Sequence, residues 1–182
     1  MTIRHSLIVP ISIILLVVIS TSCKKIKKTT TFALIDSTEF IIPANSNVNI
    51  PFEINTREVQ TYSSQSFSNN NTNANLVKDI KLTSLNLTIT DPSGQSFSFL
   101  QSVKIYIYGN GQPEILIASI ENITSDVGNS IDLTPTNSKL DTYIKSNAYS
   151  LRYETIINEP LMPGFDITVR NNMTFSIAAS PL

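Results

Sequence analysis

The 182-residue chain has no tryptophan, one cysteine, one histidine and five glycines, and only 15% of its residues are charged. A single cysteine excludes a disulfide framework. Cys23 and His5 both precede residue 24, so the remainder has no Cys/His metal site and no histidine to act as a general base. Scarce charge excludes long solvated helices. The polar share is filled by Ser, Thr and Asn, which compete with helical backbone bonds and favour turns and strands. The length suits one domain. The whole chain carries a net charge of −1, but residues 31 onward hold eight basic and fourteen acidic side chains, a balance of −6. With no basic stripe, that portion lacks the clustered cations that a nucleic-acid backbone requires.

The N-terminus is organised differently. Arg4 and His5 precede an apolar run of 13 residues, Leu7 to Ile19, interrupted by Pro10 and Ser12. As a helix it would extend roughly 20 Å, against the roughly 30 Å of a bilayer core, so it fits the apolar segment of a signal peptide better than a stable span. Small residues then lead to the cysteine in Ile19-Ser20-Thr21-Ser22-Cys23. This stretch resembles the lipobox of bacterial lipoproteins, with Ser20 where the commonest form has Leu. The resemblance covers the first 23 residues. It implies cleavage before Cys23, a diacylglycerol thioether on Cys23 and acylation of the new amine. Two or more acyl chains give stable anchoring where one gives only marginal binding. Lipidation also explains why the sole cysteine stands here.

Lys24, Lys25, Lys27 and Lys28 follow at once. They read as a basic, solvated spacer, each lysine worth ~1 kcal/mol beside anionic headgroups. In the lipoproteins that this segment resembles, Asp after the cysteine marks inner-membrane retention, and an acidic cluster marks surface export. Lys24 and a basic tract imply instead an outer-membrane protein facing the periplasm. The expected organisation is a signal peptide over 1–22, a lipidated cysteine with basic linker over 23–30, and one domain over 31–182.

Within that domain, Val48 to Asn55 alternates apolar with polar residues or proline, the period of a half-buried strand. Pro51 has no N–H to donate and places this strand at an edge. Upstream, Thr31 to Ile35 and Phe40 to Ile42 read as one or two strands. Residues 57–79 include a polar tract, 62–75, expected to be an exposed loop with a helical turn near Asn75–Asp79. Ile80 and Leu82 lie in one phase and Leu85, Leu87 and Ile89 in the other, which predicts a bulge near Thr83-Ser84. Asp91-Pro92-Ser93-Gly94 is a turn. Phe97 and Phe99 restart strand alternation. Val103, Ile105 and Ile107 continue it, and Gly109-Asn110-Gly111 folds that strand against Glu114 to Ile120, the clearest hairpin signal in the chain.

Ile131 to Leu133 is a short strand. Leu140, Tyr143 and Ile144 are spaced for one face of a helix over 137–146, capped by Thr136 or Asn137 and ending near Asn147. Tyr149, Leu151, Tyr153 and Thr155 return to strand phase. Phe165, Ile167 and Val169 follow, Arg170-Asn171-Asn172 suggests a turn or bulge, and Met173, Phe175 and Ile177 end the pattern. The fold class is mainly β: a two-sheet antiparallel β-sandwich of about eight strands with one short helix. A closed barrel is the alternative.

No catalytic set emerges. The acids stand singly, and Ser93 sits in a turn with no neighbouring base. Glu121, Asp126 and Asp132 are near in sequence but lack the spacing of a calcium loop. No metal and no cofactor is expected. Tyr106 and Tyr108 share the strand face opposite Ile105 and Ile107. They form a platform for a ligand or partner if that face is exposed, or a second packed face if it is covered. The sequons at Asn70, Asn86, Asn122 and Asn172 follow from composition. The sequence thus leads to a non-catalytic envelope lipoprotein, held to the membrane by its N-terminal lipid and presenting a β-sandwich to an envelope protein. The alternatives are a binder of an apolar or glycan ligand and a carboxylate glycosidase.

Overall fold

The computed structural model describes residues 29–182 other than residue 110. Cys23 and the lysines at 24, 25, 27 and 28 lie outside the described residues, as does the whole segment 1–22. Nine strands make up the body: β1 Thr30–Ile42, β2 Phe52–Asn55, β3 Val59–Gln60, β4 Val77–Asp91, β5 Leu100–Gly109, β6 Gln112–Glu121, β7 Ser130–Pro135, β8 Ala148–Ile157 and β9 Ile167–Ala179. Two short helices, α1 Ser63–Asn69 and α2 Asp141–Ile144, join them.

All strand pairings within the sheet are antiparallel, in the order β1-β9-β4-β7-β6-β5-β8-β2, with β3 also on β8. The sheet folds over at β7. Its first residues pair with β4, as in Leu85 opposite Leu133. Its last two pair with β6, as in Ala118 opposite Pro135. The halves on either side of this corner become the two layers of a sandwich. Between them, Phe40 of β1 stacks on Tyr153 of β8 with ring centroids 3.9 Å apart. Leu87, Ile105, Ile107, Leu151, Phe175 and Ile177 are fully enclosed there.

Strand alternation follows from composition. β9 buries every second residue along its full length, and β8 does the same. β4 carries both phases. Its register slips between Leu82 and Ser84, where the extra residue moves the apolar set from Ile80 and Leu82 onto Leu85, Leu87 and Ile89. β1 and β2 end the strand order. β2 has only four residues with Pro51 before it, and β1 points the Asp36 carboxylate inward, where Tyr149 hydrogen-bonds it. Short length, proline and an inward charge are the usual means of blunting an exposed edge.

Several elements differ from the sequence reading. The helix expected over 137–146 is only Asp141–Ile144. Neither Thr136 nor Asn137 caps it, and the Thr136 hydroxyl donates to the Leu116 carbonyl, as that of Ser138 does. Four residues cannot sustain a helix alone, and Leu140, Tyr143 and Ile144 hold the turn by burying themselves against the sheet. The polar tract 62–75 contains a second helix, α1, because Phe67 plugs the sandwich end and packs edge-on to Phe32 at 6.4 Å. Asn75–Asp79 leads into β4 and is not helical. Asn49 adopts a left-handed φ of 59°, so the Val48–Asn55 strand begins only at Phe52. Phe97 and Phe99 lie in a buried 3-10 turn. Arg170-Asn171-Asn172 is neither turn nor bulge but the middle of β9.

The two ends of the sandwich differ. One end carries Thr30, α1, α2, the β5–β6 hairpin and the C-terminus. Leu182 N–H donates to the Asn71 carbonyl there, at 2.9 Å. The opposite end carries four loops, 43–51, 92–99, 122–129 and 158–166. Those loops are laced together, with Phe97 N–H donating to the Gly128 carbonyl and Asn158 N–H to the Phe99 carbonyl.

Candidate functional site

Tyr106 and Tyr108 occupy the outer face of the layer built from β6, β5, β8 and β2, on an interior strand, and both are half-buried. Antiparallel register sets Arg152 of β8 directly opposite Tyr106. The guanidinium lies over the Tyr106 ring at 4.1 Å from its centroid. It is held there by Glu114 through a bidentate pair, Nε to Oε1 at 2.7 Å and Nη2 to Oε2 at 2.8 Å. Glu53 and Glu154 add contacts at 2.9 and 3.5 Å. The hydrogen bonds from Arg152 hold the Glu114 carboxyl below its ordinary range. Lys104 bridges Glu121 and Glu154 at 3.5 and 4.0 Å. This face is therefore a braced ionic lattice with one aromatic ring roofed by a cation. Tyr108, opposite Ser150, stands beside it.

The inner face contains polar groups that periodicity did not reveal. Tyr149 Oη donates to Asp36 Oδ2 at 2.7 Å, and burial chiefly, with the Asp36 charge, raises the phenol well above its usual range. Asn171 Nδ2 donates to Tyr153 Oη at 2.9 Å, and burial again raises that phenol. Both bonds cross from one layer to the other. Asn171 Oδ1 and Thr155 Oγ1 are buried without a partner.

A cleft of about 350 Å³ opens among the four loops, between 92–99 and 158–166. Its floor is Phe99, Leu161 and Ile167, all buried. Met162 and Phe165 stand at its margin, 68% and 54% exposed. They flank a turn closed by Phe165 N–H on the Met162 carbonyl at 3.1 Å. Pro163 occupies the second position and Gly164, with φ 83°, the third, a pattern that fixes a type II turn. Sequence alternation places Phe165 in a strand with Ile167 and Val169, whereas β9 begins only at Ile167. The Pro163-Gly164 pair was the signal that it belongs to a rigid loop.

The acids considered for metal binding do not converge. Glu121 pairs with Lys104, Asp126 accepts from Thr124, and Asp132 accepts from Asn86 at 2.8 Å. Among the described residues no group of three His, Cys, Asp or Glu side chains is placed to hold a metal ion. No described helix is long and apolar enough to cross a membrane.

No family model matches the chain, and no curated protein matches it. Solved structures that resemble it include chains of two viruses. A chain of turnip yellow mosaic virus at 100 K is 12% identical, covers 84% of this chain and 96% of its own, and gives a TM-score of 0.31. A chain of Desmodium yellow mottle tymovirus is 13% identical over 82% and 90%, with a TM-score of 0.28. Superpositions this loose carry no argument about function.

Proposed function

We propose that the protein is a non-catalytic, lipid-anchored cell-envelope protein whose β-sandwich serves as a structural or protein-interaction module. The observation that carries this reading is the run of small residues into the sole cysteine, Ile19-Ser20-Thr21-Ser22-Cys23, behind a 13-residue apolar segment. In the proposal Cys23 bears the lipid, Lys24, Lys25, Lys27 and Lys28 lie against the headgroups, and the anchor sits in the outer membrane on its periplasmic side. A domain of balance −6 is repelled by anionic lipid, so lipid and lysines together would hold it there. The position of Thr30 supports the reading. Thr30 lies at the helix-bearing end, so under this proposal the loop-bearing end would face away from the membrane, toward an envelope protein.

The test is mass spectrometry of the chain recovered from membranes. The expected species begins at Cys23 and is heavier by its acyl groups, whereas Cys23→Ser keeps residues 1–22 and carries no lipid. A wild-type chain that is freely soluble, with its leader intact and its thiol unmodified, overturns the proposal.

A further inference from the structure

We infer that the cleft between loops 92–99 and 158–166 is a docking site for a peptide segment bearing one large apolar side chain flanked by lysine or arginine. Assigning that segment to an envelope protein rests on the function proposed above; the recognition itself rests on the geometry of the cleft.

Four observations converge. First, the space is right. About 350 Å³ over an apolar floor accommodates an aromatic or leucine side chain with part of its backbone. Second, the rim is preorganised. The Pro163-Gly164 turn fixes Met162 and Phe165 at a set spacing, so little conformational entropy is lost when a partner covers them. Third, this end of the sandwich carries exposed apolar residues. Ile50, on the adjoining loop 43–51, is 56% exposed and joins Met162 and Phe165 at the same end.

Fourth, the charge is of one sign. None of the four loops contains Lys or Arg, whereas they hold Asp126, Glu159 and Asp166, and Asp91 abuts Pro92 at the cleft wall. Glu159 lines the cleft itself and is exposed. Glu159 gives the apolar floor one acidic edge, and the surrounding loops carry no cation to offset it, which favours a cationic segment with an apolar anchor over an anionic one. The polar walls, Gln95 and Ser98, offer side-chain groups to the backbone of such a segment.

The methionines supply a direct readout. Apart from Met1 the chain has Met162 at the rim and Met173 fully buried in β9. In the full chain held in lipid nanodiscs, with 13C-labelled methionine methyls, acetyl-Lys-Phe-Lys-amide should shift Met162 in a saturable manner and leave Met173 in place. Acetyl-Lys-Ala-Lys-amide and acetyl-Glu-Phe-Glu-amide should not. Phe165→Ser, a change at an exposed turn position, should weaken the response about tenfold or more. Glu159→Gln should weaken it about two- to fivefold, and added salt should erase that difference.

A silent Met162, an equal response to the alanine or glutamate peptide, or a shift centred on Met173 overturns the inference. An equal response to benzyl alcohol would make this a site for small apolar molecules and overturn it too. The readout does not require acylation. A responsive Met162 in a chain whose Cys23 stays bare keeps this inference and removes the envelope reading, and an acylated chain with a silent Met162 does the reverse.

Discussion

At the scale of single residues, the sandwich interior is pinned by polar bonds that tolerate no loss of one partner. Tyr153→Phe leaves Asn171 Nδ2 buried and unpaired, alongside an Oδ1 that already lacks a partner. Urea unfolding should show a loss of about 1–3 kcal/mol. Tyr153→Phe combined with Asn171→Leu should cost less than the two single changes added, because the second change removes the stranded donor. The same tyrosines set the alkaline limit. Burial raises the folded-state pKa of Tyr149 and Tyr153 above the unfolded value of about 10. Stability is therefore intact below pH 10 and falls as the pH climbs beyond it, since only the unfolded chain releases those protons. Tyr153→Phe should flatten that decline in denaturation curves taken across alkaline pH.

Arg152 shows the opposite arrangement, with one cation serving three carboxylates. Arg152→Met leaves Glu53, Glu114 and Glu154 facing one another and should cost about 1–3 kcal/mol in urea. Glu114 has its folded pKa depressed, so its contribution is present above the ordinary carboxylate range near 4.5 and is lost as pH falls through the lowered value. The stability gap between wild type and Glu114→Gln should therefore close on acidification below that range. A gap that persists there would assign the effect to packing.

At the scale of elements, the bulge in β4 and the β5–β6 turn matter most. Deleting Thr83 removes the slip between Leu82 and Ser84 and leaves Leu82 and Leu85 two positions apart, so Ile80, Leu82, Leu85, Leu87 and Ile89 stay on one face of a regular strand. An ordered fold is expected to persist, which a well-dispersed amide NMR spectrum would report. Gly109 sits at φ 129°, where an added Cβ would lie 3.4 Å from the Tyr149 Cα. Gly109→Ala should cost about 1–3 kcal/mol, chiefly as backbone strain. Both features could be read from the sequence: the phase change named the bulge, and the Gly-Asn-Gly run named the turn. α1 could not. Its tract Tyr62 to Asn73 is polar and repetitive, and one phenylalanine at position 67 becomes decisive only because a sandwich end needs closing. The expected ten-residue helix failed for a related reason. The Thr136 hydroxyl donates to the Leu116 carbonyl of β6, as that of Ser138 does, and no side chain accepts from the first N–H groups of the helix.

At the scale of the whole molecule, the first and last strands are neighbours, so the sheet is completed only when β9 enters between β1 and β4. Truncation after residue 166 strips β1 of its partner in the sheet. The shortened chain should show no cooperative thermal transition by circular dichroism. The same topology fixes polarity, with Thr30 and both helices at one end and four loops free of Lys and Arg at the other. That polarity gives the anchoring proposal its direction.

The sequence by itself determined the chemistry available and the class of fold. Period-two burial over polar, glycine-poor strands allows little besides an antiparallel sheet. One early cysteine behind an apolar run carries the anchoring proposal. These are local properties, set by residue type and spacing within a few positions. Tertiary structure decided the rest. Arg152 came to cover Tyr106, Asn171 to meet Tyr153, and Met162 and Phe165 to guard a cleft with Phe99, because strand order brings together residues tens of positions apart. No periodicity within a strand encodes which strand lies beside it or which loops share an end.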